Sequence, residues 1–67
     1  MTYNPKLFEK TCTCIKEYKI DNLVFHVRRE YQVDIYPLYY KVYQNGTYND
    51  YVFLNEDEFN EYFKEIV

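Results

Sequence analysis

The residues of this chain that could carry metal or thiol chemistry are two cysteines and one histidine. Cys12 and Cys14 are separated by a single residue, and His26 has no second histidine or serine-centred motif near it. On a strand, the two cysteine side chains point to the same face, which suits a disulfide between them poorly. A zinc site needs four ligands at its usual spacings, and these three residues do not supply them. We therefore expect two buried thiols in a reducing compartment, a strand histidine, no catalytic residues, and no metal or cofactor.

Tyrosine is the most over-represented side chain, with 10 tyrosines among 67 residues beside 5 phenylalanines and no tryptophan. Tyr39, Tyr43 and Tyr48 are predicted to lie on the open face of a sheet. Tyrosine buries a large area at low entropic cost and keeps a polar tip, so such a face suits a protein interface or a homodimer. It also suits base stacking, and tyrosines paired across strands simply support a thin sheet. The sequence leaves these three interpretations open.

Acidic side chains are concentrated in the second half of the chain. Residues 1–33 have six basic and four acidic residues, whereas residues 34–67 have two basic and seven acidic residues. Asp57, Glu61 and Glu65 follow an i, i+4, i+8 spacing, which on a helix forms one carboxylate column with steps of about 6 Å. Such a column can imitate the phosphates of a nucleic-acid strand against a basic cleft. Acids in a first helical turn also suit the helix dipole, and the column is equally explained as a solvated face. Asp34 and Asp50 could extend the acidic surface.

These acids require a helix, which we predict over residues 56–66. Asn55 suits the N-cap position, and Glu58 follows three residues later, as in a capping box. The apolar residues then fall on one helix face: Phe59, Tyr62, Phe63 and Ile66.

The tyrosines require a hairpin. Asn45-Gly46 is a strong signal for a two-residue turn between strands. Such a turn pairs Tyr43 with Tyr48, Lys41 with Asp50 and Tyr40 with Tyr51. One face then carries Leu38, Tyr40, Val42, Tyr51 and Phe53. The other face carries Tyr39, Lys41, Tyr43, Tyr48, Asp50 and Val52.

Upstream, residues 23–35 alternate between apolar and polar side chains, as in a half-buried strand. An Asp21-Asn22 turn would pair Ile20 with Leu23, Tyr18 with Phe25 and Cys12 with Tyr31. Residues 5–18 admit two interpretations, because Asn4-Pro5 resembles a helix start whereas Thr11 to Ile15 favour a strand.

Together these elements predict an α+β fold for residues 1–67 as a single domain. It is an antiparallel meander of three to four strands, with the C-terminal amphipathic helix packed on one face. The alternative order is α-β-β-β-α. The side chains predicted under the helix are Tyr18, Ile20, Leu23, Phe25, Val27, Leu38, Tyr40, Val42, Tyr51 and Phe53.

Length and composition limit the class of protein. A chain of 67 residues buries only about 60% of its unfolded surface, and it lacks the run of about 20 apolar residues that a membrane helix needs. Its first residues lack the build of a signal peptide, so we expect a cytoplasmic protein of a bacterial host cell. Residue types with AT-rich codons (Phe, Tyr, Met, Ile, Asn and Lys) dominate, which indicates an AT-rich genome.

In size, acidity and richness in tyrosine and asparagine, the chain resembles the small inhibitors encoded by phages and mobile elements of low-GC bacteria, including the anti-CRISPR proteins that act on Cas9. The resemblance implies a non-enzymatic inhibitor that blocks the nucleic-acid site of a bacterial enzyme, with a Cas9 nuclease as the expected target. We expect the partner to contact Tyr39, Tyr43, Tyr48, Asp50, Asp57, Glu61 and Glu65. The alternatives are a single-strand nucleic-acid-binding module and a small homodimeric structural protein.

Overall fold

The structure is a computed structural model that describes residues 5–44 and 49–66. The predicted Asn45-Gly46 turn and Tyr48 lie outside the described residues. The described elements, in chain order, are β1 (Phe8–Cys14), β2 (Tyr18–Ile20), β3 (Leu23–Phe25), β4 (Glu30–Ile35), β5 (Tyr40–Tyr43), β6 (Tyr51–Leu54), α1 (Glu56–Tyr62) and β7 (Phe63–Glu65).

Five strands form one sheet in the order β6-β5-β4-β1-β7, and β2 pairs with β3 in a separate hairpin. All of these pairings are antiparallel, and one short helix lies near the C-terminal end, which is compatible with the predicted α+β class. The described part has seven strands, more than the three to four predicted. The alternative α-β-β-β-α order is wrong, because Phe8–Cys14 is a strand whose residues Phe8 to Thr13 pair with β4.

The register predicted for the first hairpin is confirmed. Ile20 pairs with Leu23 and Tyr18 with Phe25, while Cys12 pairs with Tyr31 in the main sheet. The two-residue turn places Asp21 at φ 51°, a left-handed conformation that aspartate tolerates better than most residues.

The predicted continuous strand over residues 23–35 is interrupted by a bulge. The N–H of Cys14 donates to the carbonyl of Arg29 (2.9 Å), and the carbonyl of Cys14 accepts from the N–H of Arg28 (2.8 Å). Arg28 and Arg29 therefore lie opposite the single residue Cys14. Such a bulge bends a strand and increases its twist. Arg28 has φ 74°, a conformation that glycine adopts far more readily. The bend carries the β2–β3 hairpin out of the main sheet and over its core side.

The predicted register of the β5–β6 hairpin is wrong. Tyr43 pairs with Tyr51 and Lys41 with Phe53, three residues further along than expected. The ladder continues into the connecting loop, where the N–H of Gln44 donates to the carbonyl of Asp50 (2.8 Å). Because side chains alternate along a strand, an odd shift exchanges the two faces of β6.

The physical reason for this register is burial. It places Val52 and Leu54 in the core, at 7% and 1% exposure, whereas Val52 was predicted on the open face. Tyr51 and Phe53, predicted under the helix, are exposed instead. Lengthening a surface loop from two residues to five costs only about 1 kcal/mol, so loop length does not hold the chain to the tighter turn.

The C-terminal helix begins as predicted and ends early. Asn55 is the N-cap, and it forms both hydrogen bonds of a capping box with Glu58. The helix ends at Tyr62, because Phe63 is extended at φ −135° and ψ 160°. Residues Phe63–Glu65 pair with β1 as an edge strand, so the predicted helical span of 56–66 is wrong at its C-terminal end. Phe63 remains buried in this extended conformation, and the strand adds backbone hydrogen bonds along the edge of β1.

The core lies between one face of the main sheet, the β2–β3 hairpin and α1. The ring of Phe25 contacts those of Tyr31 and Phe63, with centroids 4.9 and 5.6 Å apart. Phe59 stacks on Tyr40 at 4.4 Å and on Phe63 at 5.6 Å. Fully burying each such ring stabilises the fold by about 1.5–3 kcal/mol. Several residues predicted under the helix are instead exposed: Ile20, Val27, Leu38, Tyr51 and Phe53.

Candidate partner-binding surface

The helix covers only one face of the main sheet, and the opposite face carries a group of aromatic side chains. The register of β5 and β6 directs Tyr43, Tyr51 and Phe53 to this opposite side. Two tyrosines from the β4–β5 connection join them through ring contacts. We call this group the aromatic face, and it consists of Tyr36, Tyr39, Tyr43, Tyr51 and Phe53.

The rings of the aromatic face touch one another in series. Tyr36 stacks on Tyr39 at 4.7 Å, and Tyr39 meets Phe53 edge-on at 5.0 Å. Tyr51 contacts Phe53 at 5.2 Å and Tyr43 at 6.1 Å. Phe53 remains 52% exposed and Tyr51 39% exposed. The rings are therefore held in place by mutual contacts while much of their area still faces solvent.

Lys41 lies at the centre of this face. Its ammonium Nζ is 4.1 Å from the ring centroid of Tyr51, 5.1 Å from that of Tyr43 and 5.8 Å from that of Phe53. Such cation–π contacts contribute about 0.5–1 kcal/mol at exposed sites. No carboxylate lies within ion-pair distance of Lys41 among the described residues. In the described part of the chain, the positive charge of Lys41 is therefore contacted by aromatic rings and by no acidic side chain.

Asp34 lies beneath this face and anchors Tyr43. The Tyr43 hydroxyl donates to Asp34 Oδ2 at 2.7 Å, and Lys6 Nζ is 3.8 Å from the same oxygen. Asp34 is only 3% exposed, and its Oδ1 has no hydrogen-bond partner among the residues that the structure describes. Because a buried carboxylate is costly without partners, the Tyr43 hydroxyl is strongly held in this position. Asp34 therefore adds little to the exposed acidic surface that the sequence suggested.

The structure brings together only part of the predicted site. Tyr39 and Tyr43 belong to the aromatic face as expected. Asp50 is exposed at the end of the β5–β6 loop and does not pair with Lys41, which faces Phe53. Sequence reasoning missed Tyr51, Phe53 and Tyr36, because the first two were assigned to the buried face by the wrong register.

The predicted carboxylate column is not formed. Asp57 and Glu61 are on α1, but Glu65 is on β7 opposite Cys12. Glu61 pairs with Lys16 at 3.2 Å, and Glu65 Oε2 is 3.4 Å from Lys10 Nζ.

The acids of α1 and the aromatic face also lie on opposite sides of the sheet. Phe59 of α1 stacks on Tyr40, whose side chain points away from the side that carries Tyr39 and Tyr43. One flat partner surface therefore cannot contact both sets at once. The helix dipole explains the exposed acids of the first turn, Glu56, Asp57 and Glu58.

The two thiols are structural. Cys12 and Cys14 are both free and buried. Burial raises the pKa of Cys12 to about 12, so its reactive thiolate is not formed at neutral pH. Cys14 Sγ donates to the carbonyl of Lys16 at 3.0 Å, and burial raises its pKa as well.

The prediction that His26 lies within a strand is wrong. It precedes the bulge, is exposed, and donates its backbone N–H to the Tyr31 hydroxyl at 2.9 Å. Within the described residues, no group of three or more histidine, cysteine, aspartate or glutamate side chains is arranged to hold a metal ion.

A scan against protein-family models, a search of curated proteins and a search of solved structures each found no match to this chain. Across residues 5–44 and 49–66, none of the helical structure has the length and apolar character needed to cross a membrane.

Proposed function

We propose that this protein is a non-enzymatic inhibitor that binds a bacterial nucleic-acid-processing enzyme through its aromatic face. The observation that carries the proposal is the aromatic face itself, in which a set of mutually packed rings around Lys41 stays open to solvent. Exposed apolar groups gathered in one patch are typical of interaction sites, whereas isolated exposed residues are not.

The composition of the aromatic face matches what protein interfaces use for affinity. Tyrosine is enriched among the few residues that dominate binding energy, where truncation of one side chain costs about 2 kcal/mol or more. Contacts between neighbouring rings hold Tyr39 and Phe53 before a partner arrives, as does the Asp34 hydrogen bond for Tyr43. Less side-chain entropy is then lost on binding, so more of the contact energy appears as affinity.

The charge distribution favours a partner with a basic site. Residues 34–67 hold seven of the eleven acidic residues, and those in the first turn of α1 are exposed. Because these acids lie on the far side of the sheet from the aromatic face, we assign them to long-range steering instead of direct contact. A Cas9 nuclease has a positively charged nucleic-acid channel, and it is the partner that the overall resemblance of the chain suggests.

A second candidate function is single-strand nucleic-acid binding. The specific observation in its favour is Lys41 among exposed rings on an open sheet, since such proteins combine base-stacking aromatic side chains with positive charge. The formal net charge of −3 argues against it, because phosphate contacts supply most non-specific affinity.

Cleavage of DNA by purified Cas9, measured with increasing amounts of this protein, tests the first proposal. We expect stoichiometric inhibition that Tyr39→Ser abolishes or strongly weakens. The matched control is Asn60→Ser, an exposed position on α1 at the other side of the sheet, which should inhibit like the wild type.

Two results would contradict the proposal. Inhibition that survives Tyr39→Ser would remove the aromatic face from the mechanism. No inhibition of any Cas9 tested, together with salt-sensitive binding of labelled single-stranded oligonucleotides, would favour the second candidate.

A further inference from the structure

The two outer strands of the main sheet differ in how they are protected. Edge β7 is three residues long and carries Lys64 and Glu65, and charges on a short strand are a common protection against pairing with another chain. Edge β6 is Tyr51–Leu54, with no charged residue and no proline. A strand of that kind offers an unprotected edge to another chain.

The hydrogen-bond pattern identifies which groups of β6 face outward. In an antiparallel ladder, hydrogen-bonded and non-hydrogen-bonded pairs alternate. The bond from Gln44 to Asp50 belongs to a hydrogen-bonded pair, so Val52 and Leu54 also direct their backbone groups inward to β5. The N–H and C=O groups of Tyr51 and Phe53 therefore point away from β5, outward from the edge of the sheet. No protein group bonds to them within the described residues.

We propose that two copies of this chain pair along β6, antiparallel, with Val52 on the two-fold axis. A two-fold axis perpendicular to the sheet keeps the same face of both copies on the same side. Odd-numbered residues of β6 must therefore pair with odd-numbered residues of the partner, and even-numbered residues with even-numbered ones. Tyr51 then lies opposite the partner's Phe53, and Phe53 opposite the partner's Tyr51. These are the residues whose backbone groups face outward, and each such pair exchanges both of its hydrogen bonds.

The side chains on this edge fit a second copy. On the open side, each Tyr51 meets the partner's Phe53 as a cross-strand aromatic pair, which contributes about 0.2–1 kcal/mol. Val52 meets the partner's Val52 on the other side. The paired strands bring no like charges directly opposite each other, because Tyr51–Leu54 is uncharged. The two aromatic faces become continuous across the joined sheets.

The pairing involves one short strand from each copy, so its area is below that of a standard stable interface, about 1,200–2,000 Å². We therefore expect a weak, concentration-dependent dimer. Each copy has a formal charge of −3, so added salt should strengthen the dimer by screening repulsion. This inference does not rest on the proposed function, and Tyr39, used to test that function, is not part of the edge.

Amide hydrogen exchange of the wild-type protein, measured by NMR from micromolar to millimolar concentration, tests the pairing directly. The Tyr51 and Phe53 amides should exchange quickly at low concentration and at least ten-fold more slowly at high concentration. The Val52 and Leu54 amides should be protected throughout, because they bond to β5. Fast exchange at Tyr51 and Phe53 at every concentration would overturn the proposal.

Two variants of Phe53 separate the contribution of its backbone N–H to dimerisation from that of its ring. Phe53→Pro removes an outward N–H and no bond to β5, so the fold should survive while sedimentation shows a monomer. Phe53→Ala keeps that N–H and should still dimerise, with weaker affinity. A Phe53→Pro variant that is folded by circular dichroism and dimerises like the wild type would contradict pairing along β6. If the proline variant is unfolded, the exchange experiment decides the matter alone.

Discussion

The two faces of the main sheet are both rich in aromatic side chains, and they differ in what covers them. On the covered face, Phe63 of β7 stacks on Phe59 of α1, and each ring is 1% exposed. On the open face, Phe53 is 52% exposed. Burial of a ring in the core contributes free energy to folding, whereas an exposed ring keeps most of its apolar area available for burial by a partner. The comparison separates residues that determine stability from residues that are available for binding.

The largest expected effect is on the covered face. Phe63→Ala removes a ring that contacts Phe25, Tyr31 and Phe59, so we expect the free energy of unfolding to fall by about 3–5 kcal/mol. Urea denaturation followed by circular dichroism measures it. For a domain of this size, such a loss is comparable with the whole stability. A loss below about 1 kcal/mol would mean that the core does not depend on this ring.

The next effect tests Asp34, a buried anchor of the open face. Tyr43→Phe removes the hydrogen bond to Asp34 Oδ2, and among the described residues the buried carboxylate then keeps only Lys6, whose Nζ is 3.8 Å away. We expect a loss of about 1–3 kcal/mol in urea denaturation. Tyr51→Phe is the control, because the Tyr51 hydroxyl makes no hydrogen bond within the described residues. Equal effects of the two changes would contradict a special role for Asp34.

The third effect is a pH dependence that arises on the covered face. Burial raises the pKa of Cys12 from an ordinary value of 9.0 to about 12. The folded protein keeps this proton at pH values where the unfolded chain releases it, so stability falls as the pH rises between these two values. The slope approaches about 1.4 kcal/mol per pH unit. Burial also raises the pKa of Tyr18 and Tyr40, which adds to the loss at higher pH.

Urea denaturation from about pH 8 to about pH 10.5 measures this slope. Cys12→Val is the matched control, because it keeps a small apolar side chain and removes the titrating group. Its stability should fall less steeply with pH than that of the wild type. Parallel curves for the two proteins would show that Cys12 does not contribute.

The smallest expected effect is again on the open face. Phe53→Thr introduces a β-branched residue, a type that strands favour, and removes an exposed ring, so we expect a loss of less than about 1 kcal/mol. The same change should weaken partner binding by a larger amount, since it removes one ring of the aromatic face. Denaturation and the Cas9 cleavage assay, run on the same preparation, give both numbers. A stability loss as large as that of Phe63→Ala would erase the distinction between the faces.

The sequence allowed correct prediction where local signals agreed. The capping box of Asn55 and Glu58 is a contact over three residues, and it is confirmed. The register of Ile20 with Leu23 follows from a short turn between alternating strands, and it is confirmed as well.

The errors arose where a local signal competed with a distant one. Asn45-Gly46 suggested a tight turn, but the burial of Val52 and Leu54 selects a register three residues away. The spacing of Phe59 and Phe63 fits a helix, yet Phe63 reaches the same core from a strand whose partner, β1, is about fifty residues earlier. The carboxylate column depended on that helix continuing. Asp34 followed the polar positions of its strand, and nothing nearby in the sequence indicated that Tyr43 would bury it.

The place of Lys41 on the aromatic face also gives the molecule a built-in spectroscopic reporter. Its Nζ is 4.1 Å from the ring centroid of Tyr51, and we expect the adjacent ε-methylene protons to be shielded by the ring current of Tyr51. Their proton resonances will be displaced upfield from those of a solvated lysine. A partner that covers the aromatic face, or a second copy that reorients Tyr51, will shift these resonances, while an event confined to the acidic helix will leave them unchanged.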